Sequence, residues 1–152
     1  DAITLTASDL AGATSIRKRG FGSYPNELRV TIPSTVTRIE DYAFWQAFYL
    51  KQLDFEENSQ LESIGYQAFY QTEIEHIIIP KSVKTMEYGA FSECKKAKSL
   101  TFEQGCQFYQ YPHPYVQPYR RLRYVVRRMH AGGRRRLRSV PGNDVLHLLF
   151  HS

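Results

Sequence analysis

The chain has 152 residues, of which 42% are hydrophobic, and carries a formal net charge of +5 with a sequence pI near 9.2; that fits one domain with a sizeable core. Its longest aliphatic string, Ile77 to Ile79, is far short of the roughly 20 residues that cross a bilayer, which excludes a helical membrane span in this sequence. Two cysteines, Cys94 and Cys106, are too few for a disulfide scaffold, and their 11-residue separation fits no common metal spacing, so both read as free thiols.

The charge is unevenly placed. Residues 1–103 hold 11 Lys+Arg against 14 Asp+Glu, a net −3, while residues 104–152 hold 9 Arg against the single acid Asp144, a net +8. All seven lysines lie at or before Lys98. The high pI therefore describes the C-terminal third and not the part before it. The sequence starts at Asp1 without a charged-then-apolar leader, so the expectation is a mature or excerpted segment, and its start assigns no location.

Residues 1–12 read as an N-terminal edge segment. From Ala13 the chain repeats itself, and the repeat governs what each residue means. Ala13, Val36, Leu61 and Val83 open four units and are followed by Ile16, Ile39, Ile64 and Met86, then by Phe21, Phe44, Phe69 and Phe91 at steps of 23, 25 and 22. Next come Leu28, Leu50, Ile74 and Ala97, then Val30, Leu53, Ile77 and Leu100, and finally Ile32, Phe55, Ile79 and Phe102. The period is about 23 residues. All six positions are apolar in all four units.

Each unit contains two local patterns. The couples Val30/Ile32, Leu53/Phe55, Ile77/Ile79 and Leu100/Phe102 alternate with Thr31, Asp54, Ile78 and Thr101, the two-residue period of a short strand with one buried face. Pro33 and Pro80 stop two of these strands because proline has no N–H for a continuing ladder. The Ala-Phe pair of "RIEDYAF" and "TMEYGAF" lies one turn past an aliphatic residue, which predicts a single helical or tight turn on the opposite side of a coil. One such unit buries too few side chains to offset the entropy of ordering it. Stacked units share their core, so the expected fold is a repeat solenoid over residues 13–103 with structural rings at Phe21, Phe44, Phe69 and Phe91.

"HIIIPKSVKTMEYGAFSEC" (residues 76–94) resembles the BspA-like leucine-rich repeat, L-x-x-I-x-[LI]-P-x-x-[LV]-x-x-I-x-x-x-A-F-x-x-C, down to Cys94. "VTIPSTVTRIEDYAFWQA" (30–47) follows the same phrase as far as Ala47 in the cysteine's place, and "LDFEENSQLESIGYQAFYQT" (53–72) keeps Ala-Phe but replaces the proline within a turn two residues longer. The resemblance implies a curved right-handed coil with short parallel strands on one face. It also implies a noncatalytic recognition protein at the cell surface or outside the cell, used for adhesion to a host or neighbouring-cell protein or matrix, with a glycan as another ligand class.

Outward-pointing strand residues form two candidate partner-binding columns, Arg29, Gln52, His76 and Ser99 beside Thr31, Asp54, Ile78 and Thr101. At about 4.8 Å between strands, four units present a surface on the order of 15 Å across. Ile78 is an aliphatic residue at an exposed position. Catalytic residues, cofactors and metals are not expected. The sequence has no G-x-S-x-G, phosphate-cradling glycine loop or H-E-x-x-H stretch. Cys94 and His76 lack a third group to make a nucleophile and base, and Cys94 already occupies a repeat position. Glu56-Glu57 reads as a solvated turn. His147 and His151 have the four-residue spacing of a helical metal pair but follow no C-x2-C.

After Gln104 the repeat stops and the chain reads "CQFYQYPHPYVQPYRRLRYVVRRMHAGGRRRLRS". Three readings stay open for residues 104–152, which are expected to be irregular or disordered. In the first, Phe108, Tyr109, Tyr111 and Tyr115 with Pro112, Pro114 and Pro118 cap the stack. In the second, Arg120, Arg121, Arg123, Arg127, Arg128, Arg134, Arg135, Arg136 and Arg138 with Tyr119 and Tyr124 bind nucleic acid or another anionic surface. The loss of lysine, acids and repeat together favours the third, an out-of-frame extension. A short basic helix ending at Gly132-Gly133 is the local expectation for "YVVRRMHAGGRRRLRS".

Overall fold

The structure is a computed structural model that describes residues 2–106 and Phe108, together with the backbone of residues 134–140 and 145–151. Five strands run along one side of a coil: β1 (Ile3–Leu5), β3 (Leu28–Ile32), β5 (Leu50–Phe55), β7 (His76–Ile79) and β9 (Ser99–Phe102). Between them lie four two-residue strands, β2 (Ser15–Ile16), β4 (Arg38–Ile39), β6 (Ser63–Ile64) and β8 (Thr85–Met86). Neighbours are parallel within both ladders. The chain is therefore a parallel-strand solenoid of about four turns, each about 23 residues after the last.

The alternation in the sequence sets which side of each strand is dry. Val30, Ile32, Leu53, Ile77, Ile79, Leu100 and Phe102 are buried, while the residues between them face out. Across β3 and β5 the register slips by one after Leu28/Leu50, leaving Lys51 as a bulge that returns Leu53 opposite Val30. The turn at the Ala-Phe pair is a tight turn. Two left-handed residues bracket each ring, Arg19 and Ser23, Tyr42 and Gln46, Gln67 and Gln71, then Gly89 and Glu93. This geometry drives the ring inward. Phe44, Phe69 and Phe91 are completely buried, and Phe21, on the first coil, is half-buried because it is covered on one side.

Coil-to-coil hydrogen bonds keep these rings aligned. The N–H groups of Phe21, Phe44 and Phe69 donate to the carbonyls of Ala43, Ala68 and Ala90, each at 2.7 Å. The small alanines allow that approach. The two-residue ladder β2-β4-β6-β8 is not announced by the sequence pattern; a single aliphatic position preceding each Ala-Phe pair carries no two-residue alternation to mark a strand.

Past residue 103, Cys106 and Phe108 still belong to the buried cluster, and Phe108 stacks on Phe102 at 6.0 Å. Two further strands, β10 (Arg134–Val140) and β11 (Val145–His151), form an antiparallel pair, and β11 pairs antiparallel with β9. Leu146 and Leu148 take the register positions opposite Phe102 and Leu100. Residues 134–140 and 145–151 are thus strand, where an irregular or disordered segment was expected; an open sheet edge offers backbone partners that pair this part of the chain. The short basic helix expected to end at Gly132-Gly133 and the aromatic and proline cap from Tyr109 to Pro118 lie outside the described residues. His147 and His151 also sit on a strand, where four residues span roughly 13 Å at about 3.3 Å each, so the helical spacing that would make them a metal pair is not realised.

Candidate functional site

Both sequence-derived columns lie on the strand side and face out. Arg29 is in register with Gln52 and Thr31 with Asp54 across β3 and β5; His76 is in register with Ser99 and Ile78 with Thr101 across β7 and β9. All eight are exposed or half-buried. β1 adds Thr4 beside Arg29, a column member that the sequence repeat did not reveal because residues 1–12 precede its first complete unit.

The columns are cross-linked in pairs. Arg29 Nη1 donates to Gln52 Oε1 at 3.2 Å and its Nη2 to Glu27 at 3.1 Å, while Gln52 Nε2 donates to Asp54 at 2.6 Å. His76 Nδ1 and Ser99 Oγ are 2.7 Å apart. These bonds hold long polar side chains flat on the sheet, which lowers the entropy lost when a partner binds.

Neither column is continuous. β5 and β7 are consecutive on this side but unpaired: the sheet divides into β1-β3-β5 and a second sheet containing β7 and β9. After β5 and β9 the next residue donates back to the preceding coil, Glu56 N–H to Ile32 C=O at 2.9 Å and Glu103 N–H to Ile79 C=O at 3.0 Å, whereas Pro33 after β3 and Pro80 after β7 cannot, and β3 nevertheless pairs with β1. Pro80 thus removes one bond between these coils without by itself accounting for the gap. The longer turn after Phe55 then stands beside the gap.

The result is a groove of about 420 Å³ between the second and third coils, lined by Asp54, Phe55, Glu56, Glu57, His76 and Ile78 among others, with Pro80, Lys81 and Glu103 at its far side. Ile78 is 57% exposed there. Ser34 N–H donates to Glu56 Oε1 at 3.0 Å and holds that carboxyl below its ordinary range. Glu56-Glu57, read from sequence as a solvated turn, is thus a wall of the groove. No sequence signal located the groove, since it depends on a missing bond between two coils.

The opposite side carries a ladder of half-buried aromatic rings. Tyr42 meets Tyr66 at 5.4 Å, Tyr66 stacks on Tyr88 at 5.7 Å, and the Arg19 guanidinium lies over Tyr42 at 5.1 Å and Trp45 at 5.7 Å. Their faces are occupied by one another, which suits a structural role.

Cys94 is not placed for chemistry with His76. It is fully buried, its thiol donates to Phe69 C=O at 3.1 Å and lies 3.3 Å from Thr72 Oγ1, and burial pushes it up to about 11. Cys106, also buried, is pushed up to about 11 for the same reason. A neutral buried thiol is a poor nucleophile. Among the described residues no group of three His, Cys, Asp or Glu side chains converges as a metal would need, and no helix is long and apolar enough to cross a membrane.

Residues 14–111 match the BspA type leucine-rich repeat region, in six copies. The solved structure of the pneumococcal vaccine antigen PcpA is similar at 27% identity and a TM-score of 0.59 over 69% of this chain. This chain corresponds to 29% of that protein's length. A leucine-rich repeat protein from Eubacterium ventriosum shares 29% identity over 62% of this chain and 31% of its own, with a TM-score of 0.45. No curated protein matches the chain significantly.

Proposed function

Because this chain belongs to the BspA-type leucine-rich repeat family and is a repeat protein-interaction module, we propose that its strand face is a noncatalytic adhesion surface for a protein displayed on a host or neighbouring cell or in its matrix. The observation that carries the reading is the pairing of outward side chains on a rigid sheet: Arg29 with Gln52 and His76 with Ser99 are fixed by hydrogen bonds before any partner arrives. The similarity to the vaccine antigen PcpA supports a location at the cell surface. A shape-based mechanism follows. The buried Phe rows set the spacing of the coils, and the coils set the spacing of the contacts.

The test is binding of the full chain to immobilised extracellular-matrix proteins and to intact epithelial cells. Thr4→Arg combined with Arg29→Glu on the strand face is expected to abolish binding, whereas Glu62→Gln combined with Lys84→Gln on the two-residue-ladder side leaves it intact. Loss of binding only on neutralising Arg134, Arg135, Arg136 and Arg138 would instead assign recognition to the arginine-rich segment.

A further inference from the structure

The groove between β5 and β7 suits one kind of visitor. Its carboxylates, Asp54, Glu56, Glu57 and Glu103, stand against one lysine, Lys81. Among the described residues none of the four forms an ion pair. Asp54 accepts from Gln52 and Glu56 from Ser34, while Glu57 and Glu103 have no side-chain hydrogen bond among the described residues. The groove is also apolar in part: exposed Ile78, half-buried Phe55 and Pro80 line it. The break is confined to this side, because β6 pairs with both β4 and β8 and ties the same coils together behind it. The opening is therefore held apart by the fold.

Acidic groups that do not converge on one point do not suit a metal ion. They suit a long cationic side chain, whose methylenes cover an apolar surface while its head meets dispersed carboxylates. We propose that this groove receives an arginine or lysine side chain from a basic segment of the partner protein. The inference rests on the strand-face reading and narrows it: the partner is basic where it crosses the second and third coils, with the aliphatic stem on Ile78 and the charge between Asp54 and Glu57.

The probe is a short labelled peptide alternating arginine and glycine, with citrulline in place of arginine as the neutral counterpart, titrated into the full chain at low and high salt. The arginine peptide is expected to bind about tenfold or more tighter than the citrulline peptide, less so at high salt. Asp54→Asn with Glu57→Gln is expected to weaken it about tenfold. Asp41→Asn with Glu87→Gln, the same loss of charge on the other side, is expected to change it less than about twofold. Ile78→Asn weakens it as well if the stem lies where proposed. All of these residues are exposed or half-buried, so unchanged melting curves verify the fold.

Equal weakening by both double variants would overturn the groove in favour of the field of the whole protein. A rise in peptide affinity on changing Arg134, Arg135, Arg136 and Arg138 to glutamine would overturn it in favour of this chain's own arginines. If capture of a matrix or cell partner is lost with Thr4→Arg/Arg29→Glu but survives Asp54→Asn/Glu57→Gln, the strand-face reading stands and the groove assignment falls. If peptide binding follows the groove charges while no strand-face substitution affects partner capture, the groove stands and the strand-face reading falls.

Discussion

Phe69 and Phe91 lie parallel to within 2°, with ring centroids 4.9 Å apart, although 22 residues of chain separate them. Phe44 stacks on the other face of Phe69 at 5.0 Å. That interval is close to the distance between neighbouring strands, so rings and strands advance together and neither has to stretch to stay in contact with the next coil.

Phe69 is enclosed on both faces, so its removal opens a cavity that neighbours held by hydrogen-bonded ladders cannot fill. Phe69→Ala is expected to cost about 3–5 kcal/mol in denaturant unfolding. Phe21→Ala, at a half-buried ring stacked on Phe44 alone, is expected to cost clearly less. Equal losses would contradict the shared-core account.

Gly65 marks a place where two coils touch through backbone. A Cβ there would come within 2.5 Å of the Asp41 amide nitrogen and 2.7 Å of the Glu40 carbonyl carbon. Its own N–H donates to Ile39 C=O at 2.8 Å, which prevents the coils from separating without losing a bond. Gly65→Ala is expected to destabilise by about 1–3 kcal/mol, read from thermal melts.

The buried thiol of Cys94 predicts a pH effect of definite sign. Its folded-state value, raised by burial from 9.0 to about 11, means that the folded chain keeps the proton longer than the unfolded one. The stabilising contribution is complete below about 9 and is lost as pH rises through about 11. Cys94→Ala is expected to flatten that alkaline decline. Iodoacetamide at pH 8 is expected to label Cys94 only after denaturant is added.

Pro80 borders the groove and has no N–H to offer the coil before it, which makes it a direct test of what keeps β5 and β7 unpaired. Pro80→Ala supplies that donor, and the new amide is expected to exchange about tenfold or more slowly than a free loop amide as it engages the Phe55 carbonyl. Arginine-peptide binding is expected to weaken in the same variant. Fast exchange at residue 80 would show that the longer turn after Phe55, and not the proline, holds the strands apart.

The repeat, its period, the buried rows and the outward columns were all legible in the sequence, because each is a local alternation or a recurrence at fixed distance. Stacking requires the same side chain at the same phase in every coil, so the four Phe positions by themselves declare the architecture. The buried role of Cys94 was legible for the same reason.

Relations between coils were not. A proline follows both β3 and β7, yet β3 pairs with β1 and β7 does not pair with β5, so the pairing is a relation between neighbouring coils that no single unit expresses. The two-residue ladder and the pairing of β11 with β9 likewise arise from backbone groups, which are the same in every residue but proline and leave little trace in side-chain pattern. Side-chain periodicity determined which surface is wet and which is dry; only the assembled coils decided where that wet surface opens into a groove.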